Sequence, residues 1–141
     1  MQNLVLTFNS TLKQNKFVSG KRTLGTEIRA LRLQAKRSQR ELADRVAKRL
    51  KEDDRSGFDF TYLSKIENDR LVPSAAVILA LAAELNGNSD ELLALAGKAP
   101  ADIGEMFKKS EAARMFFRSA LSTRLSEEDW KKLLQDIQKP K

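Results

Sequence analysis

Basic side chains are the residues of this sequence whose number and position most clearly imply a chemistry. Residues 1–72 contain 16 Lys and Arg against 9 Asp and Glu, whereas residues 73–141 contain 10 of each kind. The whole formal net charge of +7 therefore lies in the first half of the chain. Ammonium and guanidinium groups at this density attract a polyanion, and nucleic acid is the first candidate. The alternative is a basic surface that is only hydrated.

The residue types that the sequence lacks exclude several other functions. The 141 residues include no Cys and no His. Disulfides, the usual zinc, iron–sulfur and haem sites, and catalysis by a Cys nucleophile or a His base are therefore ruled out. No Gly-rich phosphate loop is present, and no acidic cluster suggests a metal site, so we expect no enzyme, no metal and no other cofactor. The lack of Cys is compatible with a cytoplasmic protein, and no apolar run is long enough to span a membrane.

Five helices are predicted in the first part of the chain. Apolar residues spaced by three and four predict a helix from Thr23 to Lys36. Ser38 followed by Glu41 is a capping-box signature, which predicts that a second helix starts at Gln39. Three further helices are predicted at 60–68, 75–85 and 90–96, capped by Asp59, Ser74 and Ser89.

The segments on either side of these helices differ in character. Residues 1–21 show no periodicity and are interpreted as a flexible N-terminal arm. Residues 98–141 contain three more helical patterns and form a C-terminal extension that is rich in large apolar side chains. A short helical tail cannot bury all of these side chains, so they must pack on a second copy, on another protein, or on the tail's own domain. The residues expected at such an interface are Phe107, Phe116, Trp130, Leu133 and Leu134.

Several segments of the first part occur in an order and spacing that are typical of one family. They are Leu24-Gly-Thr-Glu-Ile-Arg-Ala-Leu-Arg, Ser38-Gln-Arg-Glu-Leu-Ala, Tyr62-Leu-Ser-Lys-Ile-Glu-Asn, Pro73-Ser and Leu79-Ala-Leu-Ala-Ala-Glu-Leu-Asn. In these segments the sequence resembles the Cro/C1-type helix-turn-helix regulators, also called the xenobiotic-response-element (XRE) family. The resemblance spans about half the chain. It implies an all-α fold with a five-helix lambda-repressor-like DNA-binding domain at residues 22–97, followed by the helical extension.

The resemblance implies which residues would contact DNA bases. In this family the second helix crosses the DNA backbone and the third lies in the major groove, where its exposed N-terminal face reaches base edges. The family positions that contact bases correspond in this sequence to Phe60, Thr61 and Lys65, and Ser64 lies on the same face. Lys65 can donate to guanine, and Thr61 can bond a base or contact a thymine methyl. Phe60 departs from the family, where a polar residue is commoner, and a buried core aromatic is the alternative.

Contacts to the DNA backbone follow from the same resemblance. Gln39 opens the second helix, where its side chain and the free N–H groups can meet a phosphate. Asn68 ends the third helix at the matching family position. Arg40, Tyr62 and Arg70 are expected to add phosphate contacts, and an ordinary solvated helix face is the alternative for Arg40.

The resemblance also implies one salt bridge, and the sequence differs from the family in one connection between helices. Arg32 and Glu67 occupy the family positions that form a salt bridge between the first and third helices. The connection between the second and third helices is longer than usual, and the extra length lies in Lys48 to Phe58. It includes the acidic run that begins at Glu52, which should avoid phosphate, and Arg55, which can reach DNA.

The expected function is therefore sequence-specific binding of double-stranded DNA. By family resemblance we expect a homodimeric transcriptional repressor that reads a palindromic operator through the helix at 60–68. The main alternative is an antitoxin or partner-controlled regulator, whose tail binds a protein such as a toxin or a metallopeptidase.

Overall fold

A computed structural model describes residues 21–52 and 57–140 of the chain. The chain separates into two compact units, Met1–Lys98 and Ala99–Lys141. Of the predicted N-terminal arm, all but the last residue lies outside the described residues. The same holds for residues 53–56 of the predicted loop, including Arg55.

All regular elements in the described ranges are helices, so the predicted all-α class is confirmed. Each of the five predicted helices is present, and the bounds given for them differ from the structure by at most two residues. The three helical patterns of the C-terminal extension each form a helix. The first unit contains α1 (Leu24–Gln34), α2 (Gln39–Arg49), α3 (Phe60–Glu67), α4 (Ala75–Leu85) and α5 (Ser89–Leu95). The second unit contains α6 (Ala101–Lys109), α7 (Glu111–Thr123) and α8 (Glu127–Gln138).

Side-chain caps determine where the helices of the first unit begin. The oxygens of Ser38, Asp59 and Ser74 each accept a hydrogen bond from a backbone N–H in the first turn of the following helix, as predicted. The prediction that Ser89 caps α5 is wrong by one residue. The Asn88 side chain accepts the Glu91 N–H at 3.0 Å, and Ser89 is the first helical residue.

Helices α1 to α5 enclose one apolar core. α4 is apolar around most of its circumference and contacts α1, α2 and α5, so it lies at the centre of this unit. α1 and α2 each pack against α3, which fixes α3 on two sides. The largest fully buried side chains are Ile28, Leu42, Val46, Leu63, Ile66, Pro73, Ile78, Leu81 and Leu92.

Gly25 permits a close approach between α1 and α3. A β-carbon at this position would lie 2.6 Å from the carbonyl oxygens of Ile66 and Glu67, so any side chain would force the backbone to move. The Asp69 carboxylate accepts hydrogen bonds from the Gly25 N–H at 3.0 Å and from the Thr23 hydroxyl at 2.7 Å. The start of α1 is thus fastened to the end of α3, which orients α3 on the core.

The second unit buries little of its own apolar surface. The ring of Phe117 meets those of Phe107 and Phe116 edge to face, with centroids 5.4 and 5.2 Å apart. Among the residues of this unit whose side chains are described, Ala120 is the one hydrophobic residue that is buried. Of the expected interface residues, Phe107 and Leu133 are half-buried. The exposed large apolar side chains are Met106, Met115, Phe116, Leu121, Trp130, Leu134 and Ile137.

Two further observations concern membranes and metals. Within the described ranges, no helix combines the length and the apolar character that crossing a membrane requires. In the same ranges, no group of three or more acidic side chains is arranged to hold a metal ion.

Candidate nucleic-acid interface

One face of α3 is anchored in the core and the opposite face is open to solvent. Leu63 and Ile66 are fully buried, and they hold the helix against α1 and α2. Thr61 and Lys65 are exposed, and Ser64 is half-buried. Because residues four apart lie on the same side of a helix, the Thr61 hydroxyl and the Lys65 ammonium share one polar surface.

The open face of α3 carries positive charge without a counter-ion. No Asp or Glu in the described ranges forms an ion pair with Lys65 or with Arg70, which is also exposed. Tyr62 is half-buried and its ring packs on the buried ring of Phe58, with centroids 5.1 Å apart. This surface therefore offers hydroxyl and ammonium donors to a polyanion.

The start of α2 supplies backbone donors. The Ser38 hydroxyl oxygen accepts a hydrogen bond from the Glu41 N–H. The N–H groups of Gln39 and Arg40 have no acceptor in the described part of the chain. Free N–H groups and the positive end of the helix dipole make such a terminus favourable for a phosphate oxygen. The Gln39 side chain is half-buried and that of Arg40 is exposed.

Of the two positions considered for Phe60 from the sequence, the structure excludes the buried core aromatic. Its side chain is 37% exposed, so it is not a core aromatic. Instead, the guanidinium carbon of Arg40 lies over the ring, 4.0 Å from its centroid. This cation–π contact joins the first turn of α2 to the first turn of α3.

The Asn68 side chain is occupied by contacts within the protein. Its amide nitrogen donates to the Ser64 carbonyl at 2.9 Å, and its oxygen accepts from Arg29 at 3.0 Å. A phosphate contact by this side chain would have to replace at least part of that arrangement.

Arg32 and Glu67 form a bidentate ion pair between α1 and α3. The Nε and Nη2 atoms of Arg32 each donate to a Glu67 carboxylate oxygen at 2.9 Å. The Glu67 side chain has no solvent exposure, and Arg29 approaches the same carboxylate at 3.4 Å. The pair neutralises a carboxylate that would otherwise repel a phosphate backbone, and it fixes the angle of α3.

A second network, which the sequence did not reveal, joins α2 to α4. The Glu84 carboxylate accepts from Arg49 at 2.5 Å and from Arg37 at 2.8 Å. The hydrogen bond from Arg49, aided by Arg37, lowers the pKa of Glu84 below its ordinary value, although burial acts in the opposite direction. Arg37 follows the end of α1 and links it to α4.

The Glu84 network is expected to give the fold an acid-sensitive component. Because the folded-state pKa is lowered, the network stabilises the chain above the ordinary carboxyl pKa of about 4 and loses this effect as the pH falls through the folded-state value.

E84Q should lower the free energy of unfolding at pH 7 by about 1 kcal/mol and flatten its decline at acid pH. Urea unfolding at a series of pH values measures both effects. E41Q, which alters an exposed pair with Arg45 at 3.7 Å, is the control and should change little. If the free energy of unfolding fell as steeply at acid pH in E84Q as in the wild type, the expectation would be contradicted.

Comparison with known proteins locates the first unit in one family. A sequence model of a family described as a helix-turn-helix domain matches residues 23–96, which is more than half of the 141 residues. The matched range starts at the N-cap of α1 and ends at the C-cap of α5, so it contains the candidate interface entirely. No curated protein and no solved structure matches the chain.

Proposed function

The chain belongs to the helix-turn-helix domain family, and from this premise we propose that it is a sequence-specific regulator of transcription that binds double-stranded DNA. Within the family we assign it to the Cro/C1-type regulators with a lambda-repressor-like five-helix domain. The observation that carries the proposal is the open face of α3, where exposed Thr61 and Lys65 stand on a helix that is rigidly anchored by buried residues.

In this proposal α3 enters the major groove and α2 crosses the DNA backbone. Lys65 donates to guanine O6 or N7, and Thr61 and Ser64 contact neighbouring base edges. Gln39, the free N–H groups at the start of α2, Arg40 and Arg70 bind phosphates on either side of the groove. Tyr62 and Asn68 belong to the same surface, and Asn68 acts chiefly by capping α3.

Base contacts and phosphate contacts should respond differently to mutation. K65A is expected to reduce the preference for the cognate sequence by about 1–3 kcal/mol, because a base contact is lost, while non-specific binding falls less. Q39A should weaken binding to all sequences about equally. Titration of cognate and scrambled duplexes at several salt concentrations separates the two behaviours. An equal loss on all sequences in K65A would remove Lys65 from base recognition, and a changed preference in Q39A would remove Gln39 from the phosphate contacts.

The proposal includes a homodimer formed through the second unit. One helix-turn-helix unit covers only a half-site, and two copies would read half-sites about one helical turn apart on a palindromic operator. Large apolar side chains in α6 to α8 stay exposed in the single chain, including Phe116, Trp130 and Leu134. Occlusion of RNA polymerase by the bound dimer would make the protein a repressor.

The exposed side chains of the tail also suit a second candidate function. If another protein, such as a toxin or a metallopeptidase, covers Phe116 and Trp130, the chain is an antitoxin or a partner-controlled regulator. Fluorescence of Trp130, the one Trp in the sequence, distinguishes the cases. In a DNA-binding homodimer its emission should be that of a buried indole, whereas an indole still exposed in the dimer favours the second candidate.

A further inference from the structure

Arg40 is held differently from most arginines of the first unit. Arg40 and Arg70 form no ion pair with any carboxylate in the described ranges, and Arg40 instead lies over the Phe60 ring at 4.0 Å. In the same unit, carboxylates pair with the guanidinium groups of Arg22, Arg29, Arg32, Arg37, Arg45 and Arg49.

An aromatic ring restrains a cation without neutralising it. The guanidinium carbon lies over the ring, and the N–H donors that do not point at the ring stay available to another acceptor. A carboxylate partner would consume those donors and cancel the charge. The contact with Phe60 therefore positions Arg40 without pairing its charge with a carboxylate.

The position of Arg40 in α2 is also unfavourable for a structural cation. It is the second residue of the helix, at the end where the helix dipole is positive, and a cation there opposes the dipole. An anion bound at the same terminus reverses this cost, because it meets both the free N–H groups and the guanidinium.

We propose that Phe60 is a positioning residue for Arg40 rather than a reader of bases. The ring holds the guanidinium where α2 and α3 begin, so that its N–H edge donates to a phosphate of bound DNA. Pre-ordering the side chain removes the entropy that a free Arg would lose on binding. This inference rests on the proposed DNA-binding function, and it assigns Phe60 a role at the DNA backbone.

The test measures binding of the full chain to its selected duplex as a function of salt. F60L keeps an apolar side chain that can still contact a thymine methyl, but it lacks the aromatic face. F60Y keeps that face. R40A removes the cation, and the double variant F60L/R40A completes a thermodynamic cycle. Circular dichroism checks the fold of each variant, and F60M replaces F60L should the latter not fold.

The expected pattern has three parts. R40A weakens binding about tenfold and lowers the salt slope by about one, as for a lost phosphate contact. F60L weakens binding roughly two- to fivefold and lowers the slope in part, whereas F60Y stays within about twofold of the wild type. In the R40A background, F60L has almost no further effect, because the residue it positions is gone.

Other outcomes overturn the inference. Independent, multiplicative losses in the double variant would mean that Phe60 and Arg40 act separately. Wild-type binding and slope in F60L would show that the aromatic ring positions nothing. An altered base preference with an unchanged slope would assign Phe60 to base contact. If the wild-type chain binds DNA, these results refute only the positioning role of Phe60 and leave the proposed function standing. If the wild-type chain binds no duplex in a salt-dependent manner, the proposed function fails as well.

Discussion

Replacement of Arg32 by Ala is expected to lower the free energy of unfolding by about 3–5 kcal/mol. The Glu67 carboxylate is buried with no solvent exposure, and Arg32 supplies two hydrogen bonds to it at 2.9 Å. Without Arg32, Arg29 at 3.4 Å would be the one cation in the described ranges that still pairs with this carboxylate. Denaturation with urea, followed by far-ultraviolet circular dichroism, measures the loss.

Two variants separate the buried charge from other effects of the substitution. R29A removes a half-exposed Arg from the same carboxylate and should cost about 1 kcal/mol or less. The double variant R32M/E67L removes both charges and should recover much of the stability, because no buried charge is left without a partner. If R32A were no more destabilising than R29A, the bidentate pair would not be what holds α3 at its angle.

Removal of the second unit is expected to have the largest effect on DNA affinity. A chain that ends at Lys98 retains α1 to α5, their core and the candidate interface, but lacks all the exposed apolar side chains of α6 to α8. We expect a folded monomer whose affinity for a two-half-site operator is lower by a factor of about 100 or more, since the second half-site no longer binds at high effective concentration. Sedimentation equilibrium and operator titration give the two quantities.

Point variants of the full chain provide the matched comparison. W130D and F116D place charge on exposed apolar positions of the second unit, so they should leave the single chain folded while they weaken the dimer. S122D changes an exposed polar position of α7 and should have no effect. A truncated chain that sediments as a dimer would refute the role of the second unit in dimerisation.

Local patterns in the sequence determine most of the helices. Ser38, Asp59 and Ser74 stand directly before apolar periodic segments, and their side chains can satisfy first-turn N–H groups only if a helix begins at the next residue. Between residues 86 and 89 the sequence offers two adjacent capping residues. Asn88 and Ser89 are both residue types that cap helices, so the local pattern alone does not decide between them.

The parts that sequence reasoning missed are contacts between residues far apart in the chain. Asp69 caps the start of α1 across 44 residues, and Arg37 reaches Glu84 across 47. No spacing rule connects such positions, because the distance between them is set by how α1, α3 and α4 pack. Phe60 shows the same limit, since its role depends on Arg40, which belongs to another helix.

Selection of bound sequences from random duplex DNA, followed by titration of the enriched duplex at increasing salt, shows whether the open face of α3 reads DNA. If it does, the selected duplexes should share a palindromic consensus with half-sites about one helical turn apart. The affinity should then fall steeply with salt, as the phosphate contacts of α2 and α3 are screened. Recovery of no common sequence, together with binding that salt leaves unchanged, would contradict the claim that the open face of α3 reads DNA.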